Sequence, residues 1–286
     1  MKTPVKIDPQ SLLKDVEQIA RDAGAEIMRF YEEGATVYTK TDESPVTEAD
    51  YAAERLILPR LAALLEGVPM VSEEAVSAGY KPDVSKGTFW TVDPLDGTKE
   101  FINRTGAFVV AISLVVDNKP VLGVIYHPAL GIMYSAAGPG TATREGPDGE
   151  RVSLGAGVGG TREETMRVVL NESSTDMPKV KGYLTSQFNT ASPRIDPQPG
   201  VLRACQVADN SADMSVIYPT KREGRTKWWD VAPAHAIVEA AGGIVQGVDG
   251  KPVTYDADDF MVPPVISISP NRAAAAPAAK PPENKR

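Results

Sequence analysis

The chain of 286 residues carries 30 Lys and Arg against 38 Asp and Glu, a formal charge of −8, with 42% hydrophobic residues. The length fits one large domain or two closely packed ones, and the negative balance argues against a nucleic acid polymer as partner. One cysteine, Cys205, and two histidines, His127 and His235, exclude an internal disulfide and leave too few ligands for a His/Cys zinc site, so a metal here must be held by oxygen.

In chain order, "MKTPVKIDPQ" lacks the apolar core of a signal peptide, and no apolar run of about 18 residues follows. A cytoplasmic protein without an integral membrane segment is expected. Residues 8–33 predict an amphipathic helix: Asp8 can cap, Pro9 suits the first turn, and Leu12, Val16, Ile19, Ala20, Ala23, Ile27 and Phe30 recur at helical spacing until Gly34. A second helix is expected from near Thr47 to Gly67, bent near Pro59. A strand ending about Val92 should run into a turn, with a short helix from near Thr98. The β-branched runs "AFVVAISLVV", "PVLGVIYH" and "GIMYSAA" then read as an antiparallel meander covered by the two helices. The Gly-rich stretch 138–160 predicts loop and a short hairpin, at a boundary between an N-terminal α+β half (1–155) and a C-terminal α/β half (156–270). In the second half, "MRVVL", residues 243–255 and "PVISIS" predict strands, and "VAPAHAIVEAAGG" predicts a helix ending at Gly242. Residues 172–200 show no clean period, and the Ala/Pro/Lys-biased residues 271–286 predict a disordered tail.

Carboxylates gather in four places. "TVDPLDGTKEF" sets Asp93 and Asp96 three apart, with the Leu95 carbonyl between them, and three hard oxygen donors in so short a stretch suit Mg²⁺. "VSEE" holds Glu73 and Glu74, "TKWWDVAP" holds Asp230, and "TEAD" holds Asp50 three residues after Thr47. Each has a plain structural reading beside the functional one: a turn or N-cap for Asp93, Asp96 and Asp230, a solvated pair for the glutamates, a capping box for Thr47 and Asp50.

Taken in order, "SPVTEAD", "VSEE", "DPLDGTKEF", "GVIYHPALGIMYSAA" and "WWDVAPAHAIVEAAGG" resemble the inositol monophosphatase superfamily of Mg²⁺-dependent, lithium-sensitive phosphatases. "DGTKEF" is similar to the CysQ-like bisphosphate nucleotidase branch. The resemblance covers roughly residues 10–270 and implies an α/β (α+β) fold, a layered αβαβα sandwich. It implies Glu73, Asp93, the Leu95 carbonyl, Asp96 and Asp230 as ligands of two or three Mg²⁺ ions. It pairs Asp50 with Thr98 to activate the attacking water, and leaves Glu74 a less certain participant. The implied reaction is removal of the 3′-phosphate from adenosine 3′,5′-bisphosphate, or from its sulfated form, by a cytoplasmic monomer or homodimer, with peripheral association at the inner membrane as the alternative location. No Cys or Ser nucleophile is required. Alternatives are another small phosphate, such as an inositol, sugar or histidinol phosphate, or a non-catalytic binder of metal or nucleotide with the same fold.

For the substrate, the backbone N–H groups of Gly97 and Thr98 at a helix start can face a phosphate oxygen. The basic residues Arg203, Lys221, Arg222, Arg225 and Lys227 are candidates for a second phosphate, with a solvated loop as the competing reading. The chain departs from the branch at "NESST" (171–175) and "PGVLRACQ", where a Ser-Arg-Ser-His-like stretch and an "SSLK" segment are usual, and Arg203 stands at the lysine position. These departures bear on the substrate pocket and leave the metal motifs intact. His127, His235 and Cys205 read as structural, and Trp228 and Trp229 as core or site wall, with one available to flank an adenine.

Overall fold

The computed structural model describes residues 7–158, 165–171, 175–188, 194–197, 201–220 and 225–275. Helix α1 (Pro9–Glu33) begins where Asp8 accepts a hydrogen bond from the Gln10 N–H and ends at Gly34, whose φ of 98° only glycine adopts at little cost. Its apolar stripe, Val16, Ile19, Ala20, Ala23 and Ile27, is buried. An exposed strand β1 (Val37–Thr39) pairs antiparallel with β2 (Pro45–Thr47), which leads into α2 (Glu48–Leu64) through a complete Thr47–Asp50 capping box. Pro59 lies inside the continuous helix.

Next come β3 (Met70–Ser72), the short α3 (Glu73–Ser77), β4 (Phe89–Asp96) and the short α4 (Thr98–Ile102). The meander follows as β5 (Val109–Val116), β6 (Lys119–His127) and β7 (Ile132–Ala137), with the hairpin β8 (Thr143–Glu145) and β9 (Arg151–Ser153) inside the Gly-rich stretch. Strands β3 to β9 form one sheet in sequence order, antiparallel except for β3 beside β4. Along β5 the side chains alternate between two cores: Val110, Ile112 and Leu114 join α1 and α2, while Val109, Ala111 and Val115 face the other way.

The second sheet has the order β11, β10, β12, β16, β14. It is built from β10 (Arg167–Leu170), β11 (Arg194–Pro197), β12 (Met214–Ile217), β14 (Ile244–Gly247) and β16 (Val265–Ile268). Helix α5 (Met177–Phe188) packs Val180 and Leu184 on its outer face; α6 (Leu202–Ala208) and α7 (Ala232–Ala240) fill the space between the two sheets. A two-stranded pair, β13 (Thr226–Lys227) and β15 (Met261–Val262), lies beside them, and α8 (Pro270–Ala275) closes the described chain. The layers run helix, sheet, helix, sheet, helix.

The middle layer is where the two sheets meet. Trp228, fully buried, stacks on Phe89 of the first sheet at 5.0 Å and turns its edge to Tyr255 and Phe260 at 5.9 and 5.3 Å. Helix α7 approaches β6 so closely that a Cβ on Gly123 would stand 2.2 Å from the Pro233 carbonyl oxygen. Leu154, Val169 and Val245 belong to this same cluster, so the core runs across residue 155.

Three expectations change. The strand before the acidic motif continues past Val92 to Asp96. Within 172–200, where no element was assigned, α5 and β11 occupy 177–188 and 194–197. Residues 271–275, expected in the disordered tail, belong to α8, anchored by the Arg272 Nε bond to Asp213 Oδ1 at 2.5 Å and the Asn271 N–H bond to Asn210 Oδ1 at 2.9 Å. Residues 276–286 lie outside the described residues. Among the described residues no helix is long and apolar enough to cross a membrane.

Candidate metal centre and active site

Strand β4 and its neighbours create the site. In a regular strand, residues three apart face opposite sides of the sheet. Here Asp93 pairs with Ala111 and Asp96 with Val109, so one extra residue bulges out of the ladder between them. Pro94 stands in that interval, where the missing N–H costs no ladder bond. The extra residue brings both carboxylates to the same side, and oxygens of Asp93, Asp96 and Asp230 all lie within 4.8 Å of one another. Asp230 arrives from the single helical turn Trp228–Asp230, where the Thr226 hydroxyl donates to its Oδ2 at 3.0 Å.

Gly97 ends the motif at φ 101°, and a Cβ there would meet the Ala107 carbonyl oxygen at 2.7 Å. Backbone angle and space both require glycine. The turn delivers Thr98 to the start of α4, and its hydroxyl donates to Asp50 Oδ1 at 3.1 Å. The same hydroxyl lies 3.4 Å from the Leu95 carbonyl oxygen. Asp50 keeps its other oxygen on Thr47, accepting from the N–H at 2.8 Å and the hydroxyl at 2.6 Å. The capping box and the pairing with Thr98 therefore coexist on one buried carboxyl. Burial is the main reason its pKa is pushed up to about 6, against the lowering hydrogen bonds of Thr47.

The other carboxyls repel one another. Asp93 is buried, and burial first, then the charges of Glu73, Asp96 and Asp230, raise its pKa well above the usual carboxylate range; it also shares a side-chain hydrogen bond with Glu73. Asp96 is pushed up to about 6 by burial, opposed by the Val201 N–H bonded to its Oδ2 at 2.5 Å and by the charge of Arg203. Such a collection of hard oxygen donors, held together without enough positive charge, fits a divalent cation better than it fits any neutral contact. Glu73 and Glu74 open α3, and both accept from Lys40 Nζ, at 2.8 and 2.7 Å. Glu74 is buried and pushed up to about 8 by burial and by Glu73.

Asp93, Asp96 and Asp230 thus come together and Asp50 meets Thr98, whereas Glu73, expected among the ligands, lies outside that group of three and meets Lys40. Arg203, on α6, is close enough for its charge to act on Asp96 and Asp230, while burial lowers its own pKa. Arg225 differs from the expectation: it forks onto Asp259 at 2.5 and 3.0 Å and donates to the Met261 carbonyl at 3.1 Å, stapling β13 to the segment before β15. Lys227 Nζ lies 5.5 Å from the centroid of the Trp229 ring. Lys221, Arg222 and residues 172–174 of "NESST" lie outside the described residues. Both tryptophans are buried, so neither offers a free face to an adenine. The buried His235 bonds the Tyr255 hydroxyl at 3.0 Å in the core and meets the exposed Glu239 at 3.2 Å.

Two participants were not read from the sequence. Lys40 had no signal beyond a polar turn, "TKTDESP", and the Val201 N–H reaches Asp96 from 105 positions away.

The fold and this carboxylate constellation define a class. The model of the inositol monophosphatase family matches residues 8–280, and the chain belongs to that family, whose members depend on metal. Among proteins of known function, the chain is 38% identical over 260 residues to the 3′(2′),5′-bisphosphate nucleotidase CysQ of Escherichia coli (strain K12), covering 90% of this chain and 99% of that one. The protein of the same name from Aggregatibacter actinomycetemcomitans is 35% identical over 253 residues, covering 88% and 90%. Among solved structures, CysQ from Bacteroides thetaiotaomicron superposes with a TM-score of 0.71 at 28% identity, covering 90% of this chain and 96% of that chain. The suppressor protein SuhB from Bartonella henselae, at 22% identity and a TM-score of 0.69 over 92% and 95%, shares the fold.

Proposed function

We propose that this protein is a Mg²⁺-dependent phosphomonoesterase that removes the 3′-phosphate of adenosine 3′,5′-bisphosphate to give AMP and phosphate. The observation that carries the reaction class is the convergence of Asp93, Asp96 and Asp230 beside the Asp50–Thr98 pair. The choice of substrate rests on the likeness to CysQ nucleotidases along nine tenths of the chain.

Glu73, Asp93, the Leu95 carbonyl, Asp96 and Asp230 would hold the divalent ions. When bound, the ions supply Lewis-acid neutralisation of phosphoryl charge and a lowered pKa for the attacking water. The chain's own work is positional. Asp50 takes the hydrogen bond of the Thr98 hydroxyl, which leaves the Thr98 oxygen lone pairs free to accept from the water and fix its direction. As the water oxygen bonds to phosphorus and the bond to the 3′ oxygen breaks, the water's proton can pass through Thr98 to Asp50. A carboxyl whose pKa burial has brought to about 6 suits that exchange near neutral pH. The departing 3′ oxygen takes a proton from solvent. Gly97 presents the backbone of the turn without a side chain, and Arg203 supplies positive charge on the Asp96 and Asp230 side. With Arg225 committed to Asp259, we assign it no phosphate.

The test is phosphate release from adenosine 3′,5′-bisphosphate, inositol monophosphate and fructose bisphosphate with Mg²⁺, with and without lithium. Turnover of the nucleotide at least about tenfold above the others, a difference of about 1.4 kcal/mol in the barrier, supports the proposal. Preference for inositol phosphate transfers it to the sugar-phosphate reading, and turnover of none of them despite metal binding makes the protein a binder.

A further inference from the structure

Helix α3 does not close its own start. It spans five residues, Glu73–Ser77, too few to be stable alone, so its phase is defined by whatever bonds its first N–H groups. Ser72 stands at the capping position but makes no side-chain bond to the turn. Glu54, on α2, takes that role from outside: its Oε1 accepts from the Ala75 N–H at 3.2 Å, and the buried Ser72 hydroxyl donates to the same oxygen. One carboxylate oxygen thus holds the residue before Glu73 and the residue after Glu74.

Glu54 lies four residues after Asp50, one turn further along the same face of α2. Asp50 accepts from the Thr98 hydroxyl at 3.1 Å, while Glu73 shares a side-chain hydrogen bond with Asp93. The pair that directs the water and the turn that carries the glutamate are therefore both fastened to one helix face. We propose that Glu54 is a positioning residue, which caps α3 from α2 and so holds Glu73 ready for metal at a fixed separation from the Asp50–Thr98 pair. It acts through the turn and not on the reacting atoms. What it removes is the freedom of the glutamate turn to reorient before an ion binds, an ordering cost that would otherwise be subtracted from the affinity for the ion. The assignment rests on the reading of Glu73 as a metal ligand.

The full-length protein is freed of metal and titrated with Mn²⁺ without substrate, following the EPR signal of the free ion. Glu54→Ala should bind Mn²⁺ about 10–100-fold more weakly than wild type, the range seen when groups supporting metal ligands are altered. Glu54→Gln keeps the reach and the accepting oxygen but not the charge, and should recover most of the affinity. Glu54→Asp keeps the charge but is one methylene shorter, and should resemble Glu54→Ala; these two variants judge the proposal even where Glu54→Ala fails to fold. In phosphate release, the Mg²⁺ concentration for half-maximal rate should rise by the same factor, with the loss falling on that requirement rather than on kcat at saturating Mg²⁺, because Asp50 keeps its bonds to Thr47 and Thr98. A Glu54→Ala protein that melts at a lower temperature yet binds Mn²⁺ as wild type does overturns the proposal, since Glu54 then only supports the fold. Wild-type affinity in Glu54→Asp with loss in Glu54→Gln overturns it as well, by making charge and not capping the cause. Wild type that binds Mn²⁺ but releases no phosphate from the nucleotide sinks the substrate reading and leaves the Mn²⁺ affinities to judge Glu54, whereas wild type that binds no Mn²⁺ overturns both.

Discussion

At the scale of single residues, Asp93 is the most constrained group in the site: buried, bonded to Glu73 and within reach of Asp96 and Asp230. Asn at this position keeps the shape but removes the charge of a candidate ligand, and phosphate release should fall by at least about 100-fold, since even supporting residues of a metal site cost 10–100-fold. Circular dichroism of the variant should stay that of the folded protein, which separates lost chemistry from lost structure. For the Asp50–Thr98 pair, Thr98→Val should lower kcat by about 10²–10⁴-fold with KM nearly unchanged, and Thr98→Ser should restore most of it. A change confined to KM would place Thr98 in binding only.

The same carboxyls fix a pH dependence. Asp50 and Asp96 are pushed to about 6 and Glu74 to about 8, chiefly by burial, so in the folded state they bind protons more tightly than in the unfolded chain. A carboxyl raised in this way contributes stability that is fully present below its unfolded pKa and is lost as pH climbs through the folded one. Chelated protein should therefore melt at a higher temperature near pH 5 than near pH 8, with the fall spread between roughly 4 and 8. Adding Mg²⁺ near pH 8 should recover the loss. A melting temperature of the chelated protein that rises over this window would contradict the placement of these groups.

At the scale of elements, the site depends on two irregularities. The first is the one-residue bulge in β4, which turns Asp93 and Asp96 to one side. The second is Gly97, at φ 101° with the Ala107 carbonyl 2.7 Å from where a Cβ would be. Gly97→Ala must adopt a left-handed backbone, at about 1–2 kcal/mol, and displace that carbonyl as well. A loss of at least that size in urea unfolding, with phosphate release impaired even in the folded fraction, is the expected result. A stable and active Gly97→Ala would show that the turn has room to relax. The hairpin that carries Lys40 to Glu73 and Glu74 also leads into the Thr47–Asp50 box, and the start of α6 brings both the Val201 N–H and Arg203 to the Asp96 side.

At the scale of the whole molecule, the candidate metal ligands come from two layers: Asp93 and Asp96 from β4 of the first sheet, and Asp230 from the helical turn that leads into α7. Their mutual distance is therefore set by how that turn packs on the first sheet, and Trp228 lies at that joint, stacked on Phe89 and edged by Tyr255 and Phe260. Trp228→Ala should cost about 3–5 kcal/mol, and because the cluster is continuous across residue 155 the loss should appear as one cooperative transition moved to lower temperature. Two separated transitions would mean that residues 1–155 and 156–270 fold independently.

What the sequence by itself determined is local. The limits of α1 follow from Asp8, Pro9 and Gly34, and the start of α2 from the Thr47–Asp50 box, because caps act within one turn of the chain. The meander follows from β-branched runs with turn formers between them, and the acidic residues stand in an order that resembles one family. The tertiary structure alone decided what meets across long stretches of chain: Lys40 with Glu73 and Glu74, the Val201 N–H with Asp96, Arg225 with Asp259, Trp228 with Phe89. A charge or ring carries no periodic mark of its distant partner. Whether Arg225 turns to a substrate phosphate or to Asp259, and whether Lys40 stays in water or enters the carboxylate cluster, depends on competing desolvation and pairing energies that exist only once the chain has packed.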